Sequence, residues 1–402
     1  MSFLEQFKID RRRPAPRRRG MVITAGILLL SAAVLFSGRP VWALETIARQ
    51  AFLMDISTGT VLFEKNADQT MVPASMSKMM TVYMVFERLR DSSLSLSDTF
   101  AVSVTAWRKG GSRSGSSTMF LEPGERVKVE DLLLGIIVQS GNDASIAVAE
   151  GLAGGEAAFA EEMTRRGRQI GLGNSVFKNA TGWPHPEHLT TSRDLAILAR
   201  RTIEDFPEYY HYYAEREFTH NGIRQSNRNP LLFRNIGVDG LKTGHTESSG
   251  YGLVAAAKRG ERRLILVVNG LPTKRARARE SQRFFEWGFR EFGNYALFKA
   301  GETVGEAEIW LGQEATVPLV IKNDLVVTLS RKMRRGMKVK VKYRGPLAAP
   351  LNEGAVVAEL VVEAPGAVAM RLPLVAGAEV KRLGLIGRLG AALNYILWGE
   401  SG

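Results

Sequence analysis

Residues Met79, Met80, Val82, Tyr83, Met84, Val85, Phe86 and Leu89 place apolar side chains nearly all round a helix, so that helix has to lie inside a protein core. It is entered through Pro73-Ala74-Ser75-Met76-Ser77-Lys78, where a proline ahead of a serine marks a helix start near Ser75. Lys78 is therefore placed in apolar company. Serine and lysine three positions apart share a helix face, so the ammonium can reach the hydroxyl. The unpaired N–H groups of the first turn, Ser75's own included, are available to an oxyanion. A serine hydroxyl is a weak nucleophile until a base takes its proton, and a lysine with a pKa near about 10.4 is no base at neutral pH. Bringing that pKa to neutrality means about three units, or roughly 4 kcal/mol. Burial and a second nearby cation supply shifts of this size. The chain is thus expected to hold another lysine aimed at the same spot. On these residues alone, S-x-x-K is short enough to recur by chance, and the plainer reading is a capping serine with a lysine snorkelling to the helix end.

The length of 402 residues leaves room for two domains. The absence of cysteine excludes disulfides, thiolate metal sites and a cysteine nucleophile. The net charge of +13 is unevenly spread: residues 1–43 carry eight basic and two acidic side chains, a local +6. Arg11 to Arg19 precede the apolar run Met21 to Phe36, and Val41-Trp42-Ala43 offers small residues at a cleavage site. This reads as a signal peptide with a long basic head, cleaved after Ala43, with an uncleaved anchor as the alternative. Both versions export the chain beyond Ala43. A nucleic-acid-binding arm fits poorly with the apolar run directly behind the arginines.

In chain order, residues 51–56 and 61–63 read as two strands joined by a tight turn. Residues 108–118, rich in glycine and serine, lack G-K-[ST] and read as a surface loop. Residues 130–138 form another largely apolar helix, ending in Gln139-Ser140-Gly141-Asn142-Asp143-Ala144. A turn of this composition sets a hydroxyl and a carboxamide on adjacent corners and also caps the helix from Ala144 to Leu152. His185 and His188 form H-x-x-H, but Pro184 and Pro186 break any helix and no third ligand is evident, so no metal is expected. Val238-Asp239-Gly240-Leu241-Lys242-Thr243-Gly244-His245-Thr246 precedes two strand-like runs, 250–257 and 264–269, which places Lys242-Thr243-Gly244 on a neighbouring strand of an antiparallel sheet. Gly244, with no side chain, lets a peptide lie close alongside, and Lys242 is the second cation that the lysine argument asks for.

Ser75-Met-Ser-Lys78, Ser140-Gly-Asn142 and Lys242-Thr-Gly244, in this order, resemble the motif trio of the penicillin-recognising serine enzymes. Residues 73–81, 139–144, 221–229 and 239–246 resemble in wording the low-molecular-mass penicillin-binding proteins that are D-alanyl-D-alanine carboxypeptidases. The resemblance runs from about Ala51 to the carboxyl terminus. It implies an α/β fold in which an antiparallel sheet flanked by helices meets a helical subdomain. It implies Ser75 as the acylated nucleophile, Lys78 as its general base, and Ser140 with Lys242 as carriers of the proton to the leaving D-alanine. Asn142 would hold the substrate's backbone amide, and the N–H groups of Ser75 and His245 would form the oxyanion hole. Thr243 and Arg277 would receive the terminal carboxylate, although Arg275, Arg277 and Arg279 stand in one run. The substrate implied is the peptidoglycan stem peptide, β-lactams are covalent inhibitors, and no metal or organic cofactor is involved. A class A β-lactamase places a deacylating glutamate in an E-x-x-L-N loop; Glu187-His188-Leu189-Thr190 does not fit that pattern. A D,D-endopeptidase that cuts cross-links would use the same machinery, whereas the intact trio speaks against a catalytically silent envelope scaffold.

The domain reading is a leader at 1–43, a catalytic domain at 44–298, a small β-rich domain at 299–380 and a terminal helix at 381–402. The β domain rests on the strict alternation of residues 338–343 and the β-rich runs 355–362 and 368–375. In the last stretch Leu383, Ile386, Leu393 and Leu397 share one side, with Leu389 and Ile396 beside them. Gly384, Gly387 and Gly390 make it a poor helix in water, so it needs a surface to fold on. A basic amphipathic helix ending in Trp398 suits a bilayer interface, and the family comparison implies such an anchor on the periplasmic face of the inner membrane. Packing against its own β domain is the alternative.

Overall fold

Six consecutive buried residues make Gln50–Asp55 (β1) an interior strand, and a turn closed by the Asp55 N–H on the Thr60 carbonyl returns the chain antiparallel into β2 (Val61–Lys65). The computed structural model describes residues 44–390, so the leader at 1–43 and the terminal residues 391–402 lie outside the described residues. Next come α1 (Lys78–Arg90), β3 (Thr99–Ala101), α2 (Val104–Gly110), β4 (Arg126–Lys128), α3 (Val129–Leu134), α4 (Asn142–Ala153), α5 (Glu156–Gln169), α6 (Ser192–Asp205) and the hairpin of β5 (Glu217–His220) and β6 (Ile223–Ser226). Three long strands follow, β7 (Val238–Thr246), β8 (Gly250–Arg259) and β9 (Arg262–Leu271), and then α7 (Lys274–Glu291).

The sheet runs β2-β1-β9-β8-β7 and is antiparallel throughout, with β7 at its edge. Strands β1, β8 and β9 are buried on both faces, and the period of two sorts their residues between two cores. Leu53, Leu253, Ala255, Leu264 and Leu266 meet Phe284 and Phe285 of α7 on one face. Phe52, Met54, Val254, Ala256, Ile265 and Val267 belong to the other core, with α1 and the helical subdomain. The all-round apolar helix is thus explained: ten of the thirteen residues of α1 are buried.

The C-terminal unit has a core of its own. Its strands are β10 (Phe292–Phe298), β11 (Thr303–Trp310), β12 (Thr316–Ile321), β13 (Leu325–Ser330), β14 (Lys338–Lys342), β15 (Leu347–Ala348), β16 (Val356–Glu363) and β17 (Met370–Ala376), with the short helix α8 (Arg331–Arg335) between β13 and β14. Six of them form the sheet β14-β16-β17-β12-β11-β15, while β10 pairs with β13. The alternation read at 338–343 turns Val339 and Val341 toward this core and leaves the lysines on the other side. The boundary differs from the expected 298/299. Phe298 is a buried member of this core, so the compact unit begins at Gly293.

Within the stretch read as a terminal amphipathic helix, residues 385–390 are helical, and Leu385, Ile386 and Leu389 are exposed. The alternative of packing on the β domain therefore does not hold for these three side chains. Residues 391–398, with Leu393, Ile396, Leu397 and Trp398, lie outside the described residues. Among the described residues, no helix is long and apolar enough to cross a membrane.

Candidate active site

The chain enters α1 through a single tight turn, Ala74–Ser77, which carries Ser75 and has the Met76 N–H on the Pro73 carbonyl, and α1 continues directly from Lys78. This turn rests on β7 and β8, where side chains are missing. A methyl group on Gly244 would lie 2.9 Å from the Pro73 carbonyl oxygen and 3.0 Å from Met76 Cγ, and one on Gly252 would lie 2.7 Å from Met76 Cε. Sequence alone assigns Gly244 to the passage of a peptide. The structure shows that its missing side chain makes room for the turn that carries Ser75, while Gly244 also lines the cleft.

Ser75, Ser140, Asn142, Thr243, Gly244, His245 and Arg277 line one cleft of about 890 Å³, and Lys78 and Lys242 are buried beside it. Lys78 is 0% exposed. Its Nζ lies 3.2 Å from Ser75 Oγ and 2.6 Å from Asn142 Oδ1, and it also donates to the Thr181 carbonyl. Asn142 Oδ1 and the Thr181 carbonyl can only accept. A neutral amine has two N–H groups and one lone pair, so two committed protons leave the lone pair for the hydroxyl of Ser75. Burial, followed by the charge of Arg228, brings the Lys78 pKa down to about 7, against the opposing pull of Asp143 and Glu156. The required shift is therefore present, and burial is its main source.

Lys242, the expected second cation, is buried, and its Nζ donates to the Thr243 carbonyl at 3.4 Å. Lys242 is held well below the usual lysine range by burial and then by the charges of Lys78, Arg228 and Arg277. Arg228, to which the sequence assigns no role, is the cation that acts on Lys78. Its guanidinium donates to Ser117 Oγ and to Gln139 Oε1 at 3.4 Å, tying residues 115–117 to the end of the helix before Ser140. Those residues also line the cleft, so the end of the stretch 108–118, read as a surface loop, lies at the site, while its start, 108–110, belongs to α2. The only trace of Arg228 in the sequence is its place among the family-like residues 221–229.

Ser140 sits at φ 68°, ψ 32°, after a wide helical turn over Gly135–Gln139. Its Oγ is buried and has no hydrogen-bond partner among the described residues. Asp143 fixes this corner from below: its carboxylate accepts from Thr118 Oγ1 and from the backbone of Met119, Leu121 and Ala144. Asn142 spends its carbonyl oxygen on Lys78, so its amide N–H groups remain for a substrate.

Of the three candidate arginines, Arg277 is buried on the cleft while Arg275 and Arg279 are exposed. Its guanidinium lies over the Tyr251 ring at 5.9 Å and touches the carbonyls of Gly252 and Arg228 at 3.5 and 3.4 Å, with Nε unpaired. Burial lowers its pKa to about 10, so it stays charged at neutral pH. His245 is exposed and stacks on Tyr251 with ring centres 3.9 Å apart. As the sheet's edge strand, β7 offers backbone groups on which an extended peptide can add as a further strand.

His188 is buried, its Nδ1 accepts from the Lys178 N–H at 3.3 Å, and burial brings its pKa down to about 4. Among the described residues, no group of three or more His, Asp or Glu is placed to hold a metal ion.

An antiparallel sheet against a helical subdomain, with a serine and a deprotonatable lysine where they meet, defines a serine acyl-transfer enzyme. Comparison with known proteins narrows this. Residues 39–273 match the D-alanyl-D-alanine carboxypeptidase family, peptidase S11, and residues 292–382 match the C-terminal domain of penicillin-binding protein 5. The D-alanyl-D-alanine carboxypeptidase DacC of Escherichia coli is 39% identical over 375 residues, which is 92% of this chain and 94% of that protein. Penicillin-binding protein 5 from Haemophilus influenzae superposes with a TM-score of 0.75 at 36% identity, covering 85% of this chain and all of that one. Penicillin-binding protein D2 from Listeria monocytogenes in its ampicillin-bound form gives 0.54 at 28% identity over 61% of this chain and 99% of that one. The chain belongs to the D-alanyl-D-alanine carboxypeptidase family.

Proposed function

We propose that this protein is an exported, membrane-tethered serine D,D-carboxypeptidase that removes the terminal D-alanine from pentapeptide stems of peptidoglycan. The observation that carries the reading is the 3.2 Å contact between Lys78 Nζ and Ser75 Oγ, with the amine's other two partners both obligate acceptors. An extended peptide ending in D-Ala-D-Ala lies along β7, its carboxylate on Thr243 and Arg277. Lys78 takes the hydroxyl proton as Ser75 Oγ attacks the carbonyl between the two D-alanines. The N–H groups of Ser75 and His245 hold the oxyanion. Ser140 Oγ and the Lys242 amine pass the proton to the departing nitrogen, and D-alanine leaves. Water then attacks the ester and regenerates Ser75. A β-lactam enters the same course and stays on Ser75, in keeping with the ampicillin-bound relative. The basic leader and the exposed apolar side chains of residues 385–390 support export and attachment at the periplasmic face of the inner membrane.

Purified protein is tested on a pentapeptide ending in D-Ala-D-Ala and, in parallel, on a cross-linked dimer. Free D-alanine from the first without cleavage of the second is the expected result; the reverse makes the protein an endopeptidase. No product and no penicillin adduct would leave a scaffold.

The site carries two further expected outcomes. With Lys78 at about 7, acylation by penicillin is expected to fall about tenfold per pH unit below that value and to level off above it. The sign comes from the neutral amine being the active form, and stopped-flow acylation rates across pH 5–9 check it. Arg277→Ala is expected to lower kcat/KM for the peptide by about 10–100-fold through the loss of a charge-assisted carboxylate contact, whereas Arg279→Ala leaves it unchanged. Steady-state release of D-alanine distinguishes the two.

A further inference from the structure

The stretch 179–184 forms neither helix nor strand, yet its backbone is tied down almost group by group. Ala180 N–H donates to Glu156 Oε1 at 3.2 Å, and the Ala180 carbonyl accepts from Thr81 Oγ1 at 2.8 Å. The next three N–H groups converge on one side chain. Asn179 Oδ1 accepts from Thr181 N at 3.2 Å, Gly182 N at 2.7 Å and Trp183 N at 3.1 Å, and from Thr181 Oγ1 at 3.0 Å. Asn179 Nδ2 closes the ring by donating to the Trp183 carbonyl at 2.9 Å. This fixes the plane of the Thr181–Gly182 peptide, and with it the direction of the Thr181 carbonyl that accepts from Lys78.

We infer that Asn179 is a positioning residue for the general base: by holding residues 181–183 it aims the Thr181 carbonyl at Lys78 and so leaves the amine's lone pair facing Ser75. The inference rests on the reading of Lys78 as base. Its physical content is a count of protons. With two acceptors fixed, the neutral amine has one orientation in which both N–H groups are satisfied, and in that orientation it can accept the proton of Ser75. Once the carbonyl swings away, one N–H is free to point at Ser75 Oγ, and the lone pair is lost to catalysis in a share of the molecules. Asn179 itself touches neither Ser75 nor Lys78, and the Ala180 links to Glu156 and Thr81 hold the start of the strap without it.

The experiment uses the full chain in three forms: wild type, Asn179→Ala and Asn179→Asp. Penicillin acylation rates and the kcat and KM for D-Ala-D-Ala peptide are measured from pH 5 to 9. Asn179→Ala is expected to slow acylation about a hundredfold with KM within about threefold of wild type, because reacting groups misplaced by about 1 Å lose rate rather than binding. Asn179→Asp keeps the acceptor for the three N–H groups and is expected to recover most of the rate at high pH. Its acid limb moves upward, since a carboxylate near Lys78 favours the ammonium. Acylation by Asn179→Ala within twofold of wild type at every pH overturns the inference. A loss in both variants alike, accompanied by lower thermal stability and an unmoved acid limb, also overturns it and makes Asn179 structural only. Should the wild type itself give no adduct on Ser75, it is the functional reading that falls.

Discussion

Lys78→Arg is expected to cut acylation of Ser75 by penicillin by about 10²–10⁴-fold, the range supplied by a positioned general base. Arginine keeps a positive charge and a comparable reach but stays protonated in proteins, so it cannot take the hydroxyl proton. The substitution therefore separates two roles that deletion would confuse. A lysine serving by its charge alone would tolerate arginine at modest cost, whereas a base would not. The Lys78 site adds a steric term, because Asn142 Oδ1 and the Thr181 carbonyl close round a single nitrogen. Intact-mass spectrometry after timed exposure to penicillin reads the rate, and retention of more than about a tenth of wild-type acylation would contradict the base assignment.

Gly182→Ala is expected to destabilise the catalytic unit by about 3 kcal/mol and to abolish useful acylation at the same time. Gly182 has φ +77°, a conformation that alanine adopts only with strain, and the added methyl would sit 1.9 Å from the Ala74 carbonyl oxygen and 2.5 Å from Ser77 Oγ. Neither neighbour can give way cheaply. Ala74 belongs to the turn that carries Ser75, and Ser77 is buried with its hydroxyl on the same Ala74 carbonyl at 3.0 Å. The strain is relieved only by pushing the strap away from the nucleophile's turn, which also moves the Thr181 carbonyl off Lys78. Gly173→Ala provides the control, since a methyl there meets nothing within 4 Å. Thermal unfolding and penicillin labelling of the two variants measure both effects. An unchanged melting temperature and full labelling in Gly182→Ala would refute this account of the turn.

Both predictions turn on residues 179–184, a stretch whose role the sequence does not disclose. Lys78 is legible as a buried amine because local pattern alone says that its helix is apolar on every side. Lys242 is legible as its companion because the chemistry demands one and the strand periodicity supplies a place. Arg228 and the Thr181 carbonyl carry no such signal. Arg228 reaches the site from the stretch after β6, and a backbone carbonyl looks the same at every position of a chain. Arg277 lies in between: three arginines alternate along the start of α7, and only the packing of that helix against the sheet buries one of them at the cleft.

By itself the sequence singled out Ser75, Lys78, Ser140, Asn142 and Lys242 and the α/β-plus-β architecture, because each depends on spacing within a helix, a turn or a strand. Tertiary structure alone decided which cation acts on Lys78, which arginine faces the cleft, and where the two compact units divide. It also decided that Gly244 makes room for the turn of Ser75 and that Asn179 Oδ1 gathers the N–H groups of residues 181–183. These depend on distances between segments far apart in the chain, and such distances exist only once the two cores have closed.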